Sequence, residues 1–557
     1  MAKVLVIGLD GATLDLIEPW ARQGKLPVLA SMMERGAYGR LRSVMPVLSS
    51  AAWSSFMTGM NPGKHSLYDF ARREPGSYRL RVMRRDHNRA ASLWKILSQH
   101  GHKVGVMNVP MTYPPEPVNG FLVSGLGTPD FQTFTYPPTL GKELLERGYR
   151  INKRVAYRPG NEAAYLQEVN ELADRQLEGA LWLMKEHEWD FFMVVFFDTD
   201  QMAHFFWRFM DPSHPAHDPR TAAEYGDAIQ NFYQKMDSSI GELTQAAGAD
   251  TTVFVLSDHG TGPAYQDAFL NEWLRQEGYL ETGGDSPQLK GGHRLFARLG
   301  LTRNGVSAML RKSGLSLLEG WIKEALGDRI ELLPRTTRAE FPQAIDWSRT
   351  RAYSFGYQGQ IYINLQGREP QGIVSPGKAY EQLCQEITER LMALTDPRDG
   401  KPVIDQVFRR EEIFSGPYID FAPDLTLVMR GLSYNTRQGY EFSARAGKVF
   451  SDPVTFESGS HRPQGILFAA GPTVRPGGLR EGAQLVDLAP TILNLLGVPT
   501  PEGMDGRVLQ DWVRVGSALQ SEPSQSNQVT DMTQEAEFTE EEEQEMLRRL
   551  KSLGYLE

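Results

Sequence analysis

The chain has 557 residues, 41% hydrophobic and 23% charged, too long for one simple core, so two or three domains are expected. Its single cysteine, Cys384, excludes an internal disulfide framework and a cysteine-based zinc site. Of the net charge of −10, residues 516–557 carry −7, so the body is near neutral, with no broad basic surface suited to a nucleic acid.

The N-terminus runs directly into a short apolar strand, KVLVIGL, that ends at Asp10-Gly11. No signal-peptide pattern precedes it, and no run approaches the roughly 20 apolar residues of a membrane span. A cytoplasmic chain without a membrane span is therefore expected. Residues 14–35 are patterned as helix, broken at Lys25-Leu26-Pro27. Residues 45–59 read as a loop feeding a helix, with Ser49 and Ser50 at its start. A serine there meets unpaired backbone N–H groups and the positive end of the helix dipole, which suits a phosphate, although a simple N-cap has the same appearance. Residues 103–107 and 121–123 read as strands, and 162–188 have helical spacing.

Residues 191–197 form another apolar run, ending at Asp198-Thr199-Asp200 with His204 four residues on. Residues 252–256 form a third, ending at Ser257-Asp258-His259-Gly260. Strands alternating with helices predict an α/β fold, with a mostly parallel central sheet covered by helices on both faces. After Gly262 the pattern changes. Short helical segments are expected from about 280 to 335, strands at 351–355 and 360–365, and a helix at 379–394 that buries Cys384 as a structural thiol. The sheet pattern returns at 465–471. The expected domains are a catalytic core of 1–265 and 445–515, an inserted cap of 266–444, a disordered linker of 516–538 and an amphipathic C-terminal helix at 539–557. The apolar strip of that helix, Met546, Leu547 and Leu550, needs a surface: its own core, a sister subunit or a dedicated partner.

Three strands thus end in carboxylates, and two of those ends carry one of only 11 histidines. An Asp after a strand is commonly a helix cap. Paired with His at the carboxyl edge of a parallel sheet, it also suits a divalent metal with oxygen and nitrogen ligands. Asp198, two residues before Asp200, is the weaker candidate for a ligand. His65 reads as a structural hydrogen-bonding residue, and His102, His214 and His217 as solvated. Tyr357 is a candidate for the cap side of the cleft.

Gly8-Leu9-Asp10-Gly11, the stretch from Ser49 through Thr58-Gly59 to His65, Asp200-x-x-x-His204, Asp258-His259-Gly260 and Gly459-Ser460-His461 occur in that order. The set resembles the alkaline phosphatase superfamily, in its type I phosphodiesterase/nucleotide pyrophosphatase branch. Asp487 to Leu493 and Met504-Asp505-Gly506 are similar to the C-terminal end of that core. The resemblance implies an alkaline phosphatase-like core and two divalent metals roughly 4 Å apart, usually zinc, with manganese also acceptable to such ligands. One metal would be held by Asp10, Asp258, His259 and the nucleophile, the other by Asp200, His204 and His461. In the family the nucleophile is a Thr or Ser nine residues before the Thr of Thr-Gly. Counting back from Thr58 gives Ser49, with Ser50 one position off.

Two departures bear on specificity. Ala52 stands where nucleotide pyrophosphatases often have a phosphate-holding Asn, and the Cys/Ser-x-Pro-x-Arg frame of sulfatases is missing at Ser49. Phosphoglycerate mutases with the same ligand types carry their insertion earlier in the chain. The resulting expectation is a two-metal phosphoesterase, acting on a small phosphodiester or pyrophosphate through a phosphoserine on Ser49. The alternatives are a phosphotransferase or phosphomutase of the same superfamily, and a metal-binding scaffold without turnover.

Overall fold

The computed structural model describes residues 2–74, 76–78, 80–129, 133–283, 344–437, 447–453, 456–514, 542–543 and 545–547. Its largest element is a nine-stranded sheet. The strands are β1 (Lys3–Leu9), β2 (Ala37–Arg42), β3 (Val104–Met107), β4 (Gly120–Val123), β5 (Thr135–Tyr136), β6 (Phe191–Phe196), β7 (Thr251–Leu256), β8 (Gln464–Ala470) and β9 (Gly478–Gln484). Their order is β9-β2-β8-β7-β1-β6-β3-β4-β5. The contiguous block β7-β1-β6-β3-β4 is entirely parallel, and β8 enters antiparallel between β2 and β7.

The period of a strand divides its side chains between two helical layers. Leu5 and Ile7 of β1, Phe192 and Val194 of β6, and Val253 and Val255 of β7 face one core. Helices Leu14–Arg22, Pro27–Arg35, Glu162–Glu186 and Ala228–Ala247 also contribute to that core. Val4 and Val6, Phe191 and Met193, and Phe254 and Leu256 face the other, with helices Leu93–Gln99 and Leu488–Leu495 and the helix α1 (Ser49–Thr58). Both faces are covered, so the central strands read as continuous apolar runs rather than alternating ones. The break expected at Lys25-Leu26-Pro27 separates two helices, the second with Pro27 in its first turn. The apolar run 191–197 ends as strand at Phe196, and a helix, α2 (Asp198–Met210), starts two residues later.

A second, four-stranded sheet is antiparallel throughout, in the order Ala352–Ser354, Gln360–Ile363, Leu425–Met429, Ile404–Arg409. Helix Lys378–Met392 packs on it and buries Cys384 in a separate core. Two small sheets link this unit to the main one. Gly260–Pro263 pairs antiparallel with Gly459–Arg462, and Gln266–Ala268 pairs with Tyr434–Thr436 and Phe450–Ser451. The short helical segments expected up to 335 and the linker of 516–538 lie outside the described residues, apart from 280–283 at the start of the first.

Residues 542–543 and 545–547 of the tail are helical. Met546 is buried among Leu67, Phe70, Met83, Met111 and Leu126, and Leu547 packs beside it. The part of the apolar strip that is described is thus covered by its own chain rather than by a second copy. No described helix is long and apolar enough to cross a membrane.

Gly8 shows how tightly α1 lies on the sheet. A Cβ at that position would come within 2.8 Å of both Trp53 on α1 and Val195 on β6. Gly8→Val is expected to destabilise the fold by about 1–3 kcal/mol through overpacking, measured as a lower urea midpoint with an unchanged slope.

Candidate active site

The seven residues singled out as ligands and nucleophile converge on one place. Asp10 follows β1, and Asp258 and His259 follow β7. Asp200 and His204 lie one turn apart on α2, so they share a helix face. His461 is carried by Gly459–Arg462, whose register sets it opposite Thr261, two residues past His259. Ser49 is the first residue of α1. All seven are at most 2% exposed.

The three imidazoles are oriented in the same way. His204 Nδ1 lies 3.0 Å from the Gly459 carbonyl, His461 Nδ1 2.6 Å from the Val47 carbonyl and His259 Nδ1 3.0 Å from the Gly260 carbonyl. A carbonyl only accepts, so each Nδ1 carries the hydrogen. In the neutral ring, Nε2 then offers a lone pair to the centre, as a histidine does when a backbone carbonyl holds its other nitrogen and it is set to bind a metal. His204 Nε2 and His461 Nε2 are only 3.0 Å apart. Two lone pairs at that distance need a proton or a cation.

Carboxylates complete the two groups. Asp200 lies 3.2 Å from His204 Nε2 and 3.7 Å from His461 Nε2. His259 Nε2 lies 3.7 Å from Asp10 and 3.4 Å from Asp258. Ligand atoms of Asp10, Asp258 and His259 fall within 4.8 Å of one another, as do those of Asp200, His259 and His461. His259 therefore belongs geometrically to both groups, and His204 joins the second through its contacts with Asp200 and His461.

The charges show what such a site needs. Burial, with Asp258 and Asp200 nearby, pushes Asp10 well above the usual carboxylate range. Burial also raises Asp258. It acts upward on Asp200 as well, but His204, His461 and His259 outweigh it and hold that carboxyl low. Burial opposes a charge on His204, yet Asp200 lifts it to about 9. Burial and then His259 push His461 well down. With protons alone, the centre is thus left with a neutralised carboxyl and a charged imidazole. Asp258 Oδ2 is buried with no hydrogen-bond partner among the described residues. A set of hard oxygens and inward Nε2 atoms in this state fits two divalent cations. Asp10, Asp258, His259 and Ser49 would hold one, and Asp200, His204 and His461 the other.

Ser49 and Ser50 are separated by geometry. Ser49 Oγ lies 3.4 Å from Asp10 Oδ1 and 3.2 Å from His259 Nε2. Ser50 Oγ has no hydrogen-bond partner among the described residues. The cap residue of α1, Leu48, supplies no side-chain acceptor, so the first-turn N–H groups beside Ser49 remain available to an anion.

Other residues acquire definite places. Trp53, one turn after Ser49, donates its indole N–H to Asp10 Oδ2 at 2.7 Å. Asp198 turns away from the centre and pairs with Lys153. His65 is buried and held to about 3 by that burial, bonded to Ser55 Oγ and the Leu67 N–H, as a structural histidine should be. His214, expected to be solvated, is instead buried and bonded to the Ala264 carbonyl at 2.9 Å, because its loop folds back over that strand end. The Tyr357 ring lies 6.1 Å from that of His461, and its hydroxyl donates to Glu457, which also binds Arg437.

The sequence matches the type I phosphodiesterase / nucleotide pyrophosphatase family over residues 4–443. The chain belongs to this family. Members of the type I phosphodiesterase / nucleotide pyrophosphatase family are phosphoester hydrolases of the alkaline phosphatase superfamily, and the chain is assigned to that class. Among solved structures, phosphonoacetate hydrolase from Sinorhizobium meliloti 1021, in complex with phosphonoformate, is similar with a TM-score of 0.50 and 14% identity, covering 88% of this chain and 94% of its own. Human ectonucleotide pyrophosphatase / phosphodiesterase 5 is similar at 0.49 and 14%, covering 92% of this chain and all of its own. No curated protein sequence matches the chain.

Trp53→Phe keeps the ring but removes the donor to Asp10. If the centre holds a divalent metal, the variant is expected to bind it about 10–100-fold more weakly, read by chelator competition, with the far-ultraviolet circular dichroism unchanged.

Proposed function

We propose that this family member is a two-metal phosphoesterase that cleaves phosphodiester or pyrophosphate bonds through a phosphoserine on Ser49. The observation that carries the reading is the position of Ser49 Oγ. It lies at a helix N-terminus within 3.4 Å of Asp10 and 3.2 Å of His259, and the Asp200–His204–His461 group adjoins it through His259.

When bound, the two cations would neutralise the attacking and leaving oxygens and lower the pKa of the serine hydroxyl. The chain's own groups account for the rest. Ser49 Oγ loses its proton to solvent and forms a bond to phosphorus, while the bond from phosphorus to the departing oxygen breaks and that oxygen takes up a proton from solvent. First-turn N–H groups of α1 face the phosphoryl oxygens and stabilise their charge. Water then cleaves the Ser49 Oγ–phosphorus bond and restores the hydroxyl. Trp53 fixes the orientation of Asp10 throughout, and the Nδ1 contacts of the three histidines keep their rings from rotating. A diester or pyrophosphate is favoured over a monoester because residues 43–57 contain no Arg or Lys to meet an additional phosphate charge. The four-stranded unit with helix Lys378–Met392 is read as the cap over this cleft. Zinc is the favoured metal and manganese the alternative.

Ser49→Ala is expected to lower turnover of an aryl phosphodiester on the order of a thousandfold or more while metal content stays unchanged. Retained activity in Ser49→Ala, with loss in Ser50→Ala, would move the nucleophile by one residue. Chelation is expected to abolish turnover, and Zn²⁺ or Mn²⁺ to restore it. Metal analysis of the loaded wild type is expected to give two ions per chain, and His461→Ala to lose one preferentially. A single ion in the loaded wild type would sink the two-metal reading.

A further inference from the structure

His461 reaches the centre on a ribbon that is out of step with the main sheet. In that sheet β7 and β8 run antiparallel, with Leu256 opposite Leu467. Carried outward unchanged, this register would set His461 opposite Gly262. The ribbon of Gly260–Pro263 and Gly459–Arg462 instead sets it opposite Thr261. The returning chain therefore holds one residue more than its partner between Arg462 and Leu467, which is a β-bulge. Pro463, with no N–H to give a ladder, lies in that interval. Bulges of this kind re-aim side chains beside active sites. A slip of one residue, back to the register of the sheet, would turn His461 to the opposite face. A ribbon of two short strands is marginal on its own, so its alignment needs support from outside.

That support comes from the inserted unit. Arg437 is fully buried and binds both chains of the ribbon. Its Nε donates to Asp267 Oδ1 at 3.0 Å, on the outgoing chain, and Nη2 donates to Glu457 Oε2 at 2.5 Å, on the returning one. The Tyr357 hydroxyl donates to the same Glu457 oxygen at 2.8 Å. Asn435, two residues before Arg437, accepts from Ser460 Oγ at 2.6 Å. Between these anchors, Ser458 gives its N–H and its hydroxyl to the His204 carbonyl, and the Gly459 carbonyl accepts from His204 Nδ1. A Cβ on Gly459 would come within 2.3 Å of the Ala203 carbonyl oxygen, so the segment lies flush against α2. Each residue from Glu457 to His461 is thus committed, to the inserted unit, to His204 or to the centre. Apolar packing would let such a segment slide, whereas directional bonds among buried charged groups allow one alignment.

We propose that Arg437 and Glu457, assisted by Asn435, are positioning residues: they hold the shifted register of Gly459–Arg462 and so complete the Asp200–His204–His461 metal group. The second cation is then gained only when the inserted unit is docked on the core. The metal part of this assignment rests on the two-metal reading, and the register part does not.

Two measurements on the full chain separate the parts. In the metal-free chain, amide hydrogen exchange over residues 457–462 is followed by mass spectrometry. It is expected to quicken at least about tenfold in Arg437→Met and Glu457→Gln. It should stay unchanged in Asp399→Asn, which alters an ion pair with Arg430 elsewhere on the same unit. Circular dichroism checks folding, and Glu457→Gln, which keeps the side-chain shape, decides the matter should Arg437→Met fail to fold. In the Zn²⁺-loaded chain, chelator competition is expected to show two ions in the wild type. Glu457→Gln should hold one of them at least about tenfold more weakly and the other as before. Added to His461→Ala, it should change nothing further, because the group it serves is already broken. Unchanged exchange in the folded variants overturns the register clamp. Both ions held as in the wild type, both weakened alike, or an equal effect of Glu457→Gln in the His461→Ala background overturns its role toward the metal. Fewer than two ions in the loaded wild type strikes the two-metal reading and the metal role together, and exchange alone then decides the register.

Discussion

Three carboxylates and three imidazoles are buried together in one small volume, and the rest of the structure is organised around that crowding. Like charges at such distances cannot all persist in a poorly polarisable surrounding. Asp10 is pushed toward its neutral form while Asp200 is held ionised by His204, so neighbouring groups of the same chemical type are driven to opposite states. Cations resolve this conflict where protons only divide it. The fold supplies the rigidity that keeps the groups from relaxing apart. Asp10 and Asp258 leave adjacent parallel strands, Asp200 and His204 lie on a helix whose first turn begins at the strand between them and β3, and each imidazole is tied to a backbone carbonyl.

The same helix borders two different surroundings. A helix in contact with a sheet edge presents different side chains in different directions, and α2 uses two of them. One bears Asp200 and His204 and the other bears Gln201 and Asp198. A displacement of α2 is therefore felt on both sides together. The ring of Tyr357 beside His461, tied through Glu457 to the buried Arg437, does the equivalent on the other flank. There the four-stranded unit reaches the centre through buried hydrogen bonds and ion pairs, rather than through apolar packing alone.

The parallel strands were legible in the sequence because burial on both faces leaves an unbroken apolar run, and their ends were marked by Asp10, Asp200 and Asp258. Ser49 was legible only as one of two candidates, since the choice depends on which hydroxyl faces Asp10 once α1 lies across Gly8. His461 came into view through resemblance to a family, not through local pattern, because the strand that carries it pairs with a segment about 200 residues earlier. Trp53 was missed, as its role depends on an indole N–H that sequence spacing leaves indistinguishable from core packing. His214 was misread because a loop with turn residues gives no sign that it will fold back onto Ala264.

The pairing of Gly260–Pro263 with Gly459–Arg462 also orders events during synthesis. Asp10, Ser49, Asp258 and His259 all precede residue 260, as do Asp200 and His204. His461 arrives only after the whole insertion has been made and its chain has returned to the sheet edge. Closing so long a loop is slow relative to forming local contacts. A growing chain therefore owns one complete carboxylate–imidazole group, and a second lacking its last ligand, while the insertion is still emerging. On the two-metal proposal, metal taken up at that stage would be held at the β1–β7 side first, and occupancy of the other side would report that the insertion had folded.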